Sequence, residues 1–255
     1  MEPKKIALNL YSVRRHCADE AGLDGTLARV KAAGYPAVQV SAVGPIPPRT
    51  IKRLLDKHGL ACCACHERPA ELRTDVAGIV EKLKTLGCTF TALGSPGPEN
   101  MTAGKLPGLI VELEDWGRRF TDAGIRFGYH NHAFEFERFD GRLALELLLE
   151  KTDPRHVAAE LDTYWVQYGG GDPVEWVYRV KGRMPAIHLK DYAVASNAPH
   201  FAEVGSGNLD WPRILAACRE TGVEWYIVEQ DEPVPSGRDI FESVGMSYEF
   251  LANHL

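Results

Sequence analysis

This chain of 255 residues has no run of about 18 apolar residues, so no membrane-spanning helix is expected. Its opening, MEPKKIALNLYS, carries two lysines but no apolar stretch behind them, which predicts no signal peptide and a cytoplasmic protein. Positive charge is not in excess. Lys and Arg number 29 against 35 Asp and Glu, a net charge of −6, and this argues against a nucleic-acid backbone as the main ligand. No Gly-x-Gly-x-x-Gly follows the first apolar run, where NLYSVRRHC stands instead, so a dinucleotide-binding doubly wound sheet is disfavoured. No linker interrupts the chain and no repeat of 20–50 residues is visible, which predicts one domain over residues 1–255. The six cysteines include CCAC at 62–65, but that spacing is not a zinc knuckle's. Adjacent thiols on a strand point to opposite faces, and buried free thiols in a reducing compartment are expected.

What is present alternates. Short apolar runs stand at 5–13, 37–43, 60–66, 88–95, 125–132, 156–163, 184–191 and 224–230. Each is bounded by turn residues and has the length of a buried parallel strand. Helical patterns fall between them, four of which end in glycine: GLDGTLARVKAAGY, PRTIKRLLDKHG, VAGIVEKLKTLG and LIVELEDWGRRFTDAG. DGRLALELLLEKTDP offers Asp140 as a cap, and GDPVEWVYRVKG offers Asp172 followed by Pro173. Eight strands each followed by a helix give the count of an α/β (β/α)8 TIM barrel.

Active sites of such barrels lie at the C-terminal strand ends, and polar residues collect there. The third run ends in His66 and Glu67, the fifth in His130, Asn131, His132 and then Glu135. The sixth ends in Glu160 and Asp162, the seventh in His188, Lys190 and Asp191, the eighth in Glu229, Gln230 and Asp231. Alternation puts Glu160 with Asp162, His130 with His132, and His188 with Lys190 on shared faces. Carboxylates and an imidazole from four successive strands can converge on one divalent cation, Mn²⁺, Co²⁺, Mg²⁺ or Zn²⁺, because no thiolate selects a softer ion. Such an ion would polarise a carbonyl oxygen while a flanking group moves a proton on the adjacent carbon. Taken singly, each polar strand end has a plain structural use: Asp191 and Asp231 could cap loops, and Lys190 could pair with Asp162 or Asp191, or hold a substrate oxyanion.

The blocks LYSVR, VQVSAVGPI, YHNHAFEF, ELDTYWVQYGGGDPVEWV, IHLKDY, EVGSGNLDW and YIVEQDEP resemble, in order, those of the sugar phosphate isomerase/epimerase family of xylose-isomerase-like TIM barrels. The resemblance spans nearly the whole chain. It implies a metal held by Asp162, His188 and Glu229, completed from the fifth strand by Glu135 or, alternatively, His130; a third negative ligand suits a hard cation, which favours Glu135. It implies Glu135, Glu229, His132 and Lys190 as catalytic groups. By position, Tyr11, Gln39, Ser41 and His66 would line the mouth and, with His130, contact substrate. Tyr164 and Trp165 would offer a stacking face to a sugar ring, and residues 192–210 would form the loop after the seventh strand, its glycines suiting a tight turn near the ligand.

The expected activity is a metal-dependent isomerisation or epimerisation of a sugar, keto sugar or cyclitol through an enediolate. Dehydration or lysis of an inosose or 3-keto sugar is the alternative within the same family. A nuclease related to apurinic-site endonucleases would need a basic face, which the acidic balance opposes. A non-catalytic sugar-binding barrel would have lost a ligand, yet Asp162, His188 and Glu229 are all present. The expected partner is a small molecule, with no nucleic acid and no membrane; a homo-oligomer is compatible with the sequence.

Overall fold

Eight short parallel strands surround one axis: β1 (Ile6–Asn9), β2 (Ala37–Val40), β3 (Ala61–Glu67), β4 (Phe90–Leu93), β5 (Arg126–His130), β6 (Val157–Glu160), β7 (Ala186–Leu189) and β8 (Trp225–Val228). The computed structural model describes residues 5–231 and 237–255. The first four residues of the opening segment, and Glu232 and Pro233 of YIVEQDEP, lie outside the described residues.

The strands pair in the order β6-β5-β4-β3-β2-β1-β8-β7. The two end strands meet through a single parallel bridge, Asp162 to His188. His188 N donates to Leu161 O at 2.8 Å across this seam. The result is a nearly closed (β/α)8 barrel in one domain, as the alternation of runs predicts.

Side-chain size explains the closure. Ala7, Ala37, Cys63, Ala64, Phe90, Ala92, Ala158, Ala186 and Ile227 form a small separate core that fills the barrel. Gly128 makes room for the one ring among them, since a Cβ there would lie 2.9 Å from Phe90. The larger apolar side chains face outward and pack against the helices. Asp19, Asp75, Asp172, Asp210 and Asp239 cap helices by accepting from backbone N–H groups. Gly59 and Gly87 end theirs with positive φ, the conformation that glycine adopts without steric cost.

Three local expectations change. Asp140 is not a helix cap. With Gly141 it forms the positive-φ turn of a small hairpin, Arg138–Phe139 with Arg142–Leu143, and the helix starts at Ala144. Asp-Gly with both φ positive matches the twist of a two-residue hairpin, so turn chemistry outcompetes capping. Residues 192–210 are not all loop either: Asp191–Ala195 pairs antiparallel with Ala198–Ala202 around Ser196–Asn197, also at positive φ. In β3 the register to β2 slips, so that Val38 pairs with Cys62 and Gln39 with Ala64. Cys62 and Cys63 do diverge, as alternation requires, but the extra residue turns Cys62 and Cys65 to the same side. Among the described residues no helix is long and apolar enough to cross a membrane.

Candidate active site

A cavity of about 1090 Å³ opens at the C-terminal strand ends, lined among others by Tyr11, Ser41, His66, His130, His132, Trp165, Phe201, Glu229 and Asp231. Its floor is unusually charged. Glu160, Asp162, His188 and Lys190 are all fully buried there, each at the end of β6 or β7 or just beyond. Burying charge is expensive unless it is paired and hydrogen-bonded, and the floor is organised accordingly.

Ligand-type atoms of Asp162, His188 and Glu229 lie within 4.8 Å of one another, as do those of His66, His130, Glu160 and His188. His188 belongs to both groups. Its Nε2 is 2.6 Å from Gln39 Oε1, while Gln39 Nε2 donates to Glu160 Oε1 at 3.0 Å. A carboxylate only accepts, so the Gln39 amide must turn its oxygen toward His188, and His188 Nε2 must carry a proton. The other nitrogen, Nδ1, is then directed at Glu229 Oε2, 2.8 Å away, but out of line for a hydrogen bond. Burial opposes charge on His188, yet the carboxylates of Glu160 and Glu229 raise its pKa to about 10. Burial likewise opposes ionisation of Glu160, but His188 and His66 hold it down at about 2; His66 Nε2 is 2.6 Å from Glu160 Oε2.

Lys190 Nζ donates to Glu229 Oε1 and Asp231 Oδ2, both at 2.8 Å, and lies 3.3 Å from Asp162 Oδ2. Asn9 Nδ2 donates to the remaining Glu229 oxygen. Burial lifts Asp162 to about 6 although Lys190 pulls the other way. Asp162 Oδ1 caps the next helix through Trp165 N at 3.0 Å.

A divalent cation fits this donor set. Asp162 Oδ2 and His188 Nδ1 are buried without a hydrogen-bond partner, side by side with Glu229. The carboxylates of Asp162 and Glu229 share the Lys190 ammonium with Asp231, and Glu229 also faces His188. Two carboxylate oxygens and one imidazole with open positions are ligands for Mn²⁺, Co²⁺, Mg²⁺ or Zn²⁺.

The structure does not bring Glu135 to this set. β5 ends at His130, and the chain then turns through Phe134–Phe136 and carries Glu135 back beneath the strand. Its carboxylate accepts from Tyr129 Oη at 2.7 Å and His132 N at 2.8 Å, and burial raises its pKa to about 7. Of the two candidates on the fifth strand, His130 is the one that joins a converging group. Lys190, expected to act on substrate, is sealed beneath the cavity by its three carboxylates. Gln39, expected to touch substrate, is fully buried with both ends of its amide engaged.

Tyr11, Ser41, His66, His130 and Trp165 line the cavity as expected, whereas Tyr164 is buried beside Trp165 and does not. Tyr11 does so from the turn after β1, with the Arg14 guanidinium 4.0 Å over its ring. Trp165 lies 5.7 Å from the His132 ring, with Lys190 Nζ 5.2 Å from its own. Burial keeps His130 well below the ordinary histidine range and His132 at about 4, so both are neutral imidazoles, and each has a buried, unpartnered Nδ1. Sequence reasoning named Glu160 as a strand end but not as the hub of three imidazoles, and it omitted Asn9 and Phe201 altogether. Parity with Asp162 signalled Glu160; nothing local signals the other two.

Residues 27–250 match the family described as Xylose isomerase-like TIM barrel. Inosose dehydratase from Geobacillus kaustophilus (strain HTA426) is 24% identical, over 91% of this chain and 88% of that protein. Rhizopine catabolism protein MocC from Rhizobium meliloti is also 24% identical, over 97% of this chain and 87% of that protein. The crystal structure of a sugar phosphate isomerase/epimerase from Parabacteroides distasonis ATCC 8503 superposes with a TM-score of 0.79 at 27% identity, covering 98% of this chain and 94% of that one.

Proposed function

The chain belongs to the xylose isomerase-like TIM barrel family, and from that membership and the floor of its cavity we propose a divalent-metal enzyme that moves the proton beside the carbonyl of a small keto sugar or cyclitol. The observation that carries this reading is the convergence of Asp162 Oδ2, His188 Nδ1 and Glu229 below a cavity that His130 and His132 line. Asp162, His188 and Glu229 would hold the ion, which when bound would supply a Lewis acid for a carbonyl oxygen.

The chain's own residues supply the rest. Gln39 fixes the His188 tautomer. Lys190 neutralises Asp162 and Glu229 from below. Trp165 offers a flat face to a sugar ring, with Phe201 packed edge-on against it. His132, neutral and facing the cavity, can accept a proton or donate one; general acid–base groups of this kind contribute about 10²–10⁴ in rate.

Two products follow from one proton abstraction. Return of the proton to a carbon gives an isomerase or epimerase. Loss of a neighbouring hydroxyl, protonated by an imidazole, gives a dehydratase. A two-sided epimerisation needs a base on each face, and the second carboxylate expected for it, Glu135, is engaged by Tyr129 Oη and His132 N instead. This favours elimination, and isomerisation is the second reading. The six cysteines are unpaired and buried, which suits a reducing, cytoplasmic setting.

The deciding experiment incubates the Mn²⁺-loaded protein with a panel of keto sugars and inososes in D₂O. Loss of a hydroxyl with a new conjugated carbonyl absorbance supports the dehydratase. Deuterium in a product that keeps all its hydroxyls supports the isomerase. No exchange with any member of the panel would sink both.

A further inference from the structure

Away from the cavity, the sulfurs of Cys62, Cys65 and Cys88 lie within 4.8 Å of one another in the core between the sheet and its helices. Cys62 and Cys65 are 3.7 Å apart because the slip in β3 turns both outward, and Cys88 leads into the neighbouring β4. All three are buried and none is in a disulfide; Cys62, at 9% exposure, is the most accessible. The geometry points to a second metal site: we propose that these three thiols bind one divalent d¹⁰ cation of the zinc class, pinning β3 to β4.

The sulfur spacing is the first argument. Three sulfurs each about 2.3 Å from a central zinc stand about 4 Å apart. The observed edges, 3.7 Å for one pair and no more than 4.8 Å for the others, are compatible with that value. A disulfide needs about 2.05 Å, well inside the 3.7 Å that separates Cys62 from Cys65.

The ligand chemistry is the second argument. Three thiolates select a soft or borderline ion, unlike the oxygen-rich mouth. Binding releases three thiol protons to solvent and forms three metal–sulfur bonds. A divalent ion leaves one net negative charge, and a monovalent ion would leave two in an apolar layer. Two of the thiols otherwise have only weak donations to carbonyls, Cys62 to Ala64 O at 3.5 Å and Cys88 to Phe90 O at 3.1 Å.

The test titrates the reduced full-length protein with Cd²⁺ under anaerobic conditions and follows the near-ultraviolet sulfur-to-cadmium charge-transfer band, which oxygen and nitrogen ligands do not produce. The expected result is a band that saturates at one equivalent. It should persist in Asp162→Asn, which alters the mouth, and vanish in the Cys62→Ala/Cys65→Ala/Cys88→Ala variant. Absence of the band, or its survival in the triple variant, overturns the proposal. Should the triple variant not fold, X-ray absorption on the wild-type one-equivalent adduct decides: a shell of three sulfurs supports the site, and oxygen and nitrogen alone reject it.

Discussion

Gln39 decides which nitrogen of His188 faces Asp162 and Glu229, although it touches neither the cavity nor those carboxylates. Partners that orient a metal-binding imidazole typically control about 10–100-fold in affinity. Gln39→Leu should therefore weaken Mn²⁺ binding by that factor in a chelator competition, while Glu135→Gln leaves it unchanged. If Glu135→Gln weakened binding instead, the ligand set argued above would be wrong. Glu135 has its own signature. Its folded pKa, about 7, lies above the ordinary 4.5, so the folded protein takes up a proton more readily than the unfolded chain. The sign follows: this residue costs stability above pH 7, and the cost fades as pH falls from 7 toward 4.5. Glu135→Gln should raise the melting temperature at pH 8 and lose that advantage near pH 4.5; a gain independent of pH would refute the assignment.

At the scale of elements, Asp191 organises the chain after β7. Its carboxylate accepts from Tyr192 N at 2.8 Å, Gly205 N and Gly207 N at 2.9 Å, Leu209 N at 3.3 Å and Trp211 Nε1 at 2.6 Å. The segment wraps this one side chain so closely that a Cβ on Gly207 would come within 2.4 Å of it. The same clamp anchors the hairpin that carries Phe201 to the cavity. Asp191→Ala leaves buried N–H groups without an acceptor, and charged hydrogen bonds of this kind are worth roughly 1.5–3 kcal/mol each before compensation by water. We expect a destabilisation of about 2–3 kcal/mol. Hydrogen exchange should accelerate at the amides of 205, 207 and 209 and stay unchanged in β1 to β4. Uniform acceleration would mean that the clamp is not local.

For the whole molecule, the seam and the site coincide. The barrel closes between β6 and β7 through the Asp162–His188 bridge, and these two residues are also half of the charged floor. An ion bound there would tie β6, β7 and β8 together where strand pairing is thinnest. At a concentration about 100 times its dissociation constant, such a ligand adds about 2.7 kcal/mol. For a domain of this size that corresponds to a rise of about 5–10 °C in melting temperature. Scanning calorimetry with Mn²⁺ and then with excess EDTA should show that difference in the wild type, and Asp162→Asn should melt alike in both. Equal melting of the wild type in both would speak against an ion at the seam.

What the residues determine without tertiary context is whatever depends on near neighbours. Strand length and apolarity, glycine stops, and the cap at Asp172 are governed by a few adjacent residues, so the barrel was legible, as was the gathering of polar groups at its strand ends. Two turns were misread even locally, because Asp140–Gly141 and Ser196–Asn197 build hairpins where a cap and a loop were expected. The tertiary structure alone decided who meets whom. Gln39 reaches Glu160 across 121 residues and Asn9 reaches Glu229 across 220, contacts that exist only once the strands are arranged around the axis. It held Glu135 against Tyr129 and the His132 amide, sealed Lys190 under the floor and brought three cysteines together through one extra residue in β3. Pattern places a side chain on a face of its own element; only the packed barrel sets its distance to a group on another.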